Sequence, residues 1–471
     1  MGKKDKKEKK DKKTKKKVPA LGWRGWIWRL GLSGVGGVAV FLAFPTFDLW
    51  PLAWVAMVPT LFAVEGLSPK RHFWLGLWAG FITNLGGFYW MTGMLMDFGH
   101  LPWAISFALN ALLAVYQGLV FALWLWLLAR LRAKSKLGTW LLAPMAYVAA
   151  EFAIWFLFPW FYANSQYLAI PMIQICELGG VMLLSFLLVA ANGALFDGLR
   201  ALMAKRRKPA IILLAAWLLV PLVNAGYGLL RMHMVDGQVA EATKLRVGMV
   251  EADVGIRGKE DRRKIDDNLV RNQRLSVDLA RQGAELIVWP ETAYPSQGVY
   301  ARVPGQSEFR RYGIMPRNVV AVAQSSLAPP EHASEDRRLR VSREDIKVPQ
   351  RGFTTPLLFG ALTYRENPES RSVRHPGMDF LNTAILIDDK GEVLGVYDKV
   401  HRLMFGEYVP FSEYFPQIYE WVPEAGDLSK GTEVKSLPFR DFKLGIMVCY
   451  EDILPAFGRE FRQHDQRCLV W

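Results

Sequence analysis

The chain has 471 residues, of which 51% are hydrophobic, 13% aromatic and only 22% charged, yet it carries a net charge of +14. So much apolar and aromatic material excludes disorder for most of the length, and three Cys exclude a disulfide-built fold. A nucleic-acid binder and a membrane protein remain, and the location of the charge separates them.

Residues 3–17 hold eleven Lys against Asp5, Glu8 and Asp11, a net of +8, which leaves +6 for the rest of the chain. A nucleic-acid surface would interleave basic residues with aromatics or set them on a folded face, and this run does neither. It is also too long and too acidic for a cleaved signal. Residues 1–20 therefore read as a disordered basic tail facing anionic headgroups on the cytoplasmic side.

Residues 21–232 form a series of membrane-length apolar runs. Residues 73–96, 101–129 and 209–230 contain no Asp, Glu, Lys or Arg, and at about 1.5 Å of rise per residue each can cross a hydrocarbon layer of about 30 Å. Shorter runs at 30–47 and 49–64 are separated by Pro45 and Asp48, a hairpin pattern. Runs 137–160 and 170–196 each carry one acid, Glu151 and Glu177, giving about seven spans. An intramembrane carboxylate is a functional candidate by default. Here the small residues beside both make hydrogen-bonded packing the stronger reading.

Alternate connections carry Lys70 and Arg71, then Arg130, Arg132, Lys134 and Lys136, then Arg200, Lys205, Arg206, Arg207 and Lys208. The intervening loops near Asp48, Asp97 and 161–169 carry no Lys or Arg. By the positive-inside rule the tail is cytoplasmic, and seven crossings place everything after residue 232 on the opposite side.

The texture changes from about residue 240. LRVGMVEAD (245–253) is strand-like, 261–283 has helical spacing ending at Gly283, and AELIVWPETAYP (284–295) is a buried strand entering a Pro-punctuated loop. LLFGALTY (357–364) follows, then a hairpin over 383–400 turning at DDKG, and KLGIMVCYED (443–452) opens from an apolar strand into a polar segment. This order predicts an α/β layered domain with buried sheets over 240–471. Residues 326–351, charged and without apolar periodicity, read as a mobile surface insertion.

Three of these strands end in chemistry: Glu291 closes IVWPE, Lys399 closes VYDK and Cys449 closes GIMVC. Singly, each has an ordinary explanation in burial or solvation. Together they make a nucleophile set, because a thiol needs a base and a tetrahedral oxyanion needs a cation or N–H donors.

WPETAYP, YDKVHRLMFGEYVPF and GIMVCYED resemble the three signature segments of the nitrilase superfamily with its Glu–Lys–Cys triad. With the polytopic half, and with FPWFYANSQ (158–166), the chain resembles the membrane-fused apolipoprotein N-acyltransferase family over nearly its whole length. The resemblance implies an α-β-β-α sandwich behind the helical bundle. It implies Cys449 as nucleophile, Glu291 as general base and Lys399 at the oxyanion. Glu407 would be a supporting carboxylate, and Tyr450 and Glu451 would match the segment after the nucleophile, with the Tyr450 N–H in the oxyanion hole. It further implies a phospholipid acyl donor, a diacylglyceryl apolipoprotein acceptor and a thioester intermediate. The site would then face the outer side of a bacterial inner membrane, with no cofactor, no metal and no nucleic-acid partner. Trp289, Phe405 and Phe411 are candidate wall residues.

The chain departs from the family pattern at Met404, where Pro is often found, and in the loop EADVGIRGKEDRRK, which lacks an expected Trp. It stops at Trp471, 22 residues past Cys449, where the resemblance implies further strands and an eighth span. The expectation is a fold incomplete at its C-terminus, with the tail HDQRCLVW breaking off where the next strand would begin. Two rival readings stay open: another membrane-fused carbon–nitrogen hydrolase or amidase, and an inactive truncated membrane scaffold.

Overall fold

A computed structural model describes residues 22–97, 99–255, 264–294, 349–421, 425–463 and 468–470. The basic tail, most of the 326–351 insertion and most of the 251–264 loop lie outside the described residues. The chain divides into two compact units, Met1–Ala242 and Thr243–Trp471.

The first unit is helical. Its helices are α1 (Trp23–Leu42), α2 (Val58–Val64), α3 (Pro69–Gly87), α4 (Trp90–Asp97), α5 (Trp103–Lys134), α6 (Thr139–Ala153), α7 (Ile170–Ile173), α8 (Cys176–Met203) and α9 (Arg207–Glu241). Among the described residues, α1, α5, α8 and α9 are each long and apolar enough to cross a membrane. The other expected runs are broken. The 73–96 run divides between α3 and α4, the 49–64 run begins as a 3-10 turn (Trp50–Trp54), and the 137–160 run leaves its helix at Ala153.

Small residues set the helix crossings. A Cβ on Gly76 would lie 2.4 Å from the Phe121 carbonyl oxygen, and one on Gly80 2.5 Å from that of Gly118, so α3 and α5 meet backbone to backbone in a small-xxx-small crossing. Where the helices break, buried side chains satisfy the exposed main chain, as a low-dielectric setting demands. Asn192 donates to the Ala53 carbonyl (2.8 Å) and accepts from the Met57 N–H (2.8 Å). The Tyr162 hydroxyl also donates to Ala53 (2.6 Å), and the Glu151 carboxylate accepts from the Tyr162 N–H (2.8 Å). The FPWFYANSQ segment is thus a buried 3-10 turn (Tyr162–Gln166) that completes the bonding of the 50–58 stretch. Glu177 accepts two bonds from Arg231 Nε (2.6 and 2.8 Å) and one from the Tyr227 hydroxyl, tying α8 to α9. Both carboxylates therefore hold packing together.

The second unit contains β1 (Val247–Met249), α10 (Ile265–Arg281), β2 (Leu286–Val288), β3 (Leu357–Glu366), β4 (Met378–Ile387), β5 (Val393–Asp398), α11 (Ile418–Trp421), β6 (Ser436–Phe439), β7 (Phe442–Ile446), α12 (Pro455–Gln463) and β8 (Cys468–Val470). Strands β1 to β5 form one sheet in chain order. β1, β2 and β3 pair in parallel, and β3, β4 and β5 antiparallel. Strands β6, β7 and β8 form a second sheet. The 468–470 segment adds to it in parallel with Leu444–Ile446.

Period-2 alternation sends each strand's side chains to two cores. Ile287, Leu357, Phe359, Ile385 and Ile387 face one way, toward Leu269 and Val277 of α10. Leu286, Val288, Leu358, Ala384 and Leu386 face the other, toward Leu437, Phe439, Leu444 and Ile446 of the second sheet and Phe457 and Phe461 of α12. The first sheet is buried on both faces, which is why its strands read as continuous apolar runs. The DDKG hairpin forms as its composition requires: Asp388 Oδ1 accepts from the Lys390 N–H (2.9 Å) and the Glu392 N–H (2.8 Å), and Gly391 takes φ +77°.

Candidate active site

Three strand ends deliver the candidate residues. Glu291 follows β2, Lys399 follows β5 and Cys449 follows β7. Lys399 is almost completely buried, and its Nζ donates to Glu407 Oε1 (2.9 Å) and, at longer range, to Glu291 Oε1 (3.4 Å). A buried ammonium survives only when paired. Burial pulls the Lys399 pKa down, but the Glu291 and Glu407 carboxylates outweigh it and hold the pKa above the ordinary lysine value. The group is therefore a permanent cation at neutral pH, suited to stabilising an oxyanion and unsuited to acting as a base.

Cys449 keeps solvent access, and Glu291 lies close enough to act on its thiol. Desolvation by the atoms packed around the sulfur, followed by the negative charge of Glu291, pushes the thiol up to about 11 against the opposing pull of Lys399. The resting sulfur is thus a thiol, and a nucleophilic role for it would need a proton acceptor at the moment of attack.

The backbone is strained at these points. Cys449 has φ +53°, Thr292 beside the base +51°, and Phe405 and Phe411 in the loop after Lys399 +64° and +65°. Each non-Gly residue in this region costs roughly 1–2 kcal/mol. Glu451, fully buried, holds the Cys449 turn in place. Its Oε1 accepts from the Tyr397 hydroxyl (2.8 Å) and the N–H groups of Val400 (2.7 Å) and His401 (2.9 Å), and its Oε2 from Val448 N–H (2.9 Å). One carboxylate thereby locks the segment carrying Lys399 to the segment carrying Cys449. Glu407 is anchored in turn, its Oε2 accepting from Leu403 N–H (2.8 Å).

The structure brings together Glu291, Lys399, Glu407 and Cys449, with Glu451 beneath them and Tyr450 next in chain. Of the candidate wall residues, Trp289 is core: it is buried, and its Nε1 donates to Ser276 of α10 (2.8 Å). Phe405 and Phe411 are exposed, 58% and 70%, in company with Tyr414 and Phe415. His401 packs edge-on against Phe457 at 4.8 Å, a loop-packing role.

Two residues were missed from sequence. Asn382 on β4 donates from Nδ2 to Glu291 Oε1 (2.6 Å) and to Glu407 Oε1 (3.2 Å). Asn382 stands in the middle of β4, and no spacing or turn signal in the sequence marks it. Gly360 on β3 lets the base approach, since a Cβ there would lie 2.6 Å from Thr292 N and 3.0 Å from Glu291 Cα.

A helical unit with membrane-length helices, joined to a layered α/β unit with a Glu–Lys–Cys cluster, defines a membrane-fused enzyme of the carbon–nitrogen hydrolase class. Residues 36–194 match the apolipoprotein N-acyltransferase N-terminal domain, and residues 354–469 match the carbon–nitrogen hydrolase domain. The chain is 29% identical to the apolipoprotein N-acyltransferase of Geobacter metallireducens, over 91% of this chain and 74% of that protein. It is 28% identical to that of Azotobacter vinelandii, over 88% of this chain and 72% of that protein. Among solved structures, an amidase from Nesterenkonia sp. is similar at 19% identity over 48% of this chain and 63% of the amidase, with a TM-score of 0.23. The chain belongs to the apolipoprotein N-acyltransferase family.

Proposed function

We propose that this enzyme N-acylates bacterial lipoproteins, moving a fatty acyl chain from a phospholipid to the free α-amine of an N-terminal diacylglyceryl-cysteine. The observation that carries the mechanism is the meeting of Cys449, Glu291 and a buried, cationic Lys399 at three strand ends.

In the first half-reaction Glu291 takes the thiol proton as sulfur attacks the ester carbonyl. The oxyanion forms against the Lys399 ammonium and the Tyr450 main-chain N–H. Collapse breaks the ester C–O bond, Glu291 returns the proton to the departing oxygen, and a lysophospholipid leaves a thioester on Cys449. In the second half the α-amine attacks the thioester, Glu291 accepts the amine proton, and the C–S bond breaks. The proton passes back to sulfur, restoring the thiol and releasing the amide. Glu407 holds Lys399 in place, and Glu451 fixes the nucleophile turn. Both substrates are lipid-anchored, so the topology from the positive-inside rule, with about seven spans and the α/β unit on the outer side of the inner membrane, puts the site where they reside. The exposed aromatics of the 405–415 loop suit the shielding of a thioester from water.

The test is complementation of a bacterium depleted of its own N-acyltransferase, with lipoprotein N-termini read by mass spectrometry. The gene should restore growth and a third acyl chain, and Cys449→Ala should restore neither. Well-expressed protein that fails to rescue would sink the reading.

A further inference from the structure

The shortest hydrogen bond to the base does not come from Lys399. Asn382 Nδ2 reaches Glu291 Oε1 at 2.6 Å, whereas Lys399 Nζ stands 3.4 Å away and gives its closer contact, 2.9 Å, to Glu407. The second proton of Nδ2 serves Glu407 at 3.2 Å. Asn382, Glu291, Lys399 and Glu407 therefore form a closed ring, in which two carboxylates alternate with one cation and one neutral donor.

The placement is rigid. Asn382 lies in β4 opposite Leu362, its own carbonyl accepts the Lys399 N–H (2.9 Å), and its side chain is buried. Its Oδ1 is buried with no hydrogen-bond partner among the described residues. A carboxamide that forgoes its acceptor is oriented by its donor bonds, since flipping it would set an oxygen against two carboxylates.

Two carboxylates at this range repel, and a donor shared by both offsets that repulsion. We infer that Asn382 is a positioning residue of the acyl-transfer centre: it orients Glu291 toward Cys449 and fixes its distance from Glu407. The groups facing Glu291 are Lys399 from the end of β5, Glu407 from the following loop and Cys449 from the end of β7, with Asn382 the neutral member. This inference rests on the Cys449–Glu291 reading above.

The experiment uses the full chain in detergent and a p-nitrophenyl ester as acyl donor, following the p-nitrophenolate burst at one pH over a range of ester concentrations, with Cys449→Ala as the burst-free control. Asn382→Ala should slow the saturating burst rate by roughly 10- to 100-fold, the weight of one hydrogen bond to a charged group. The half-saturating ester concentration should stay within about twofold, because Asn382 acts through Glu291 and not on the ester. Asn382→Gln, which keeps the carboxamide, should recover part of the loss. A folded Asn382→Ala protein that bursts at the wild-type rate, or that loses rate only through a raised half-saturating concentration, would overturn the inference and leave Asn382 a packing residue. Failure of the lipoprotein reading looks different: wild-type protein would give the burst yet add no acyl chain to lipoprotein N-termini.

Discussion

Buried carboxylates occur in both units, and their surroundings separate those that hold structure from the one placed beside a thiol. Glu151 in the helical unit and Glu451 in the α/β unit are both buried and both accept main-chain N–H groups, one in the first case and three in the second. Neither touches a nucleophile. Glu291 is half-buried, and its partners are an ammonium, an amide and a thiol. A carboxylate bonded to fixed main-chain N–H donors, with no thiol beside it, holds backbone in place. One facing a thiol that ionises only at about 11 has a proton within reach.

The largest expected effect tests the chemical side of this contrast. Glu291→Gln should lower acyl-enzyme formation by about 10²–10⁴-fold, the usual weight of a general base. The same change should make the thiol more acidic, because burial and then the Glu291 charge raise it most, and burial with the weaker Glu407 charge would remain to do so. Lys399→Gln has the opposite sign: its cation lowers the thiol pKa, so its loss moves ionisation above about 11. Iodoacetamide labelling of the Cys449 peptide against pH, read by mass spectrometry, resolves both shifts. A thiol that ionises no earlier in Glu291→Gln would remove Glu291 from contact with the sulfur.

Next in size is Glu451→Gln. An amide keeps one acceptor oxygen, so either three donors near Oε1 or the Val448 N–H would face an NH2 group. Loss of about 2–4 kcal/mol is expected, as a lowered unfolding midpoint and a slower burst in the protein that remains folded. An unchanged midpoint would mean that the Cys449 turn holds itself.

Glycines allow the same comparison between the units. Gly360→Ala presses on Glu291 Cα and Thr292 N, while Gly80→Ala presses on the Gly118 carbonyl across a helix pair. Displacement of the base by part of an ångström should cost Gly360→Ala roughly 10- to 100-fold in burst rate. Gly80→Ala should lower thermal stability by about 1–3 kcal/mol, the range for overpacking, and spare the burst of the folded protein. Equal effects on rate would show that the helical crossing governs the site.

The distribution of legible and illegible features follows the same physics. Glu291, Lys399 and Cys449 could be read because each ends a run of buried apolar strand, where a polar residue stands out. Asn382 could not be assigned, since its bond to Glu291 spans 91 residues of chain and nothing local announces it. In the helical unit the apolar runs were legible as membrane-length segments, but apolarity reports burial or lipid depth and not helix continuity. The breaks at 50–58 and after Ala153 depend on Asn192, Tyr162 and Glu151 satisfying distant main chain. Trp289 read as a candidate wall residue because an aromatic near a site is ambiguous until its face is known, and β2 turns it toward α10.

The smallest expected effect bears most directly on the contrast. Glu151 lies in α6, within one of the apolar runs, where an ionisable residue is a functional candidate by default, and its Oε1 bond to the Tyr162 N–H is one that an amide oxygen can also make. Glu151→Gln should therefore leave the burst rate within about twofold and shift the unfolding midpoint by no more than a few degrees, the scale of about 1 kcal/mol. Glu151→Leu removes the acceptor and leaves a buried N–H unmet, so it should cost about 1–3 kcal/mol through the loosened 50–58 and 162–166 segments. A structural role requires that order, Leu far worse than Gln, with acyl transfer following stability in both. If Glu151→Gln instead folded normally and lost acyl transfer, Glu151 would exchange a proton in the cycle, and the division between the two units would fail at that residue.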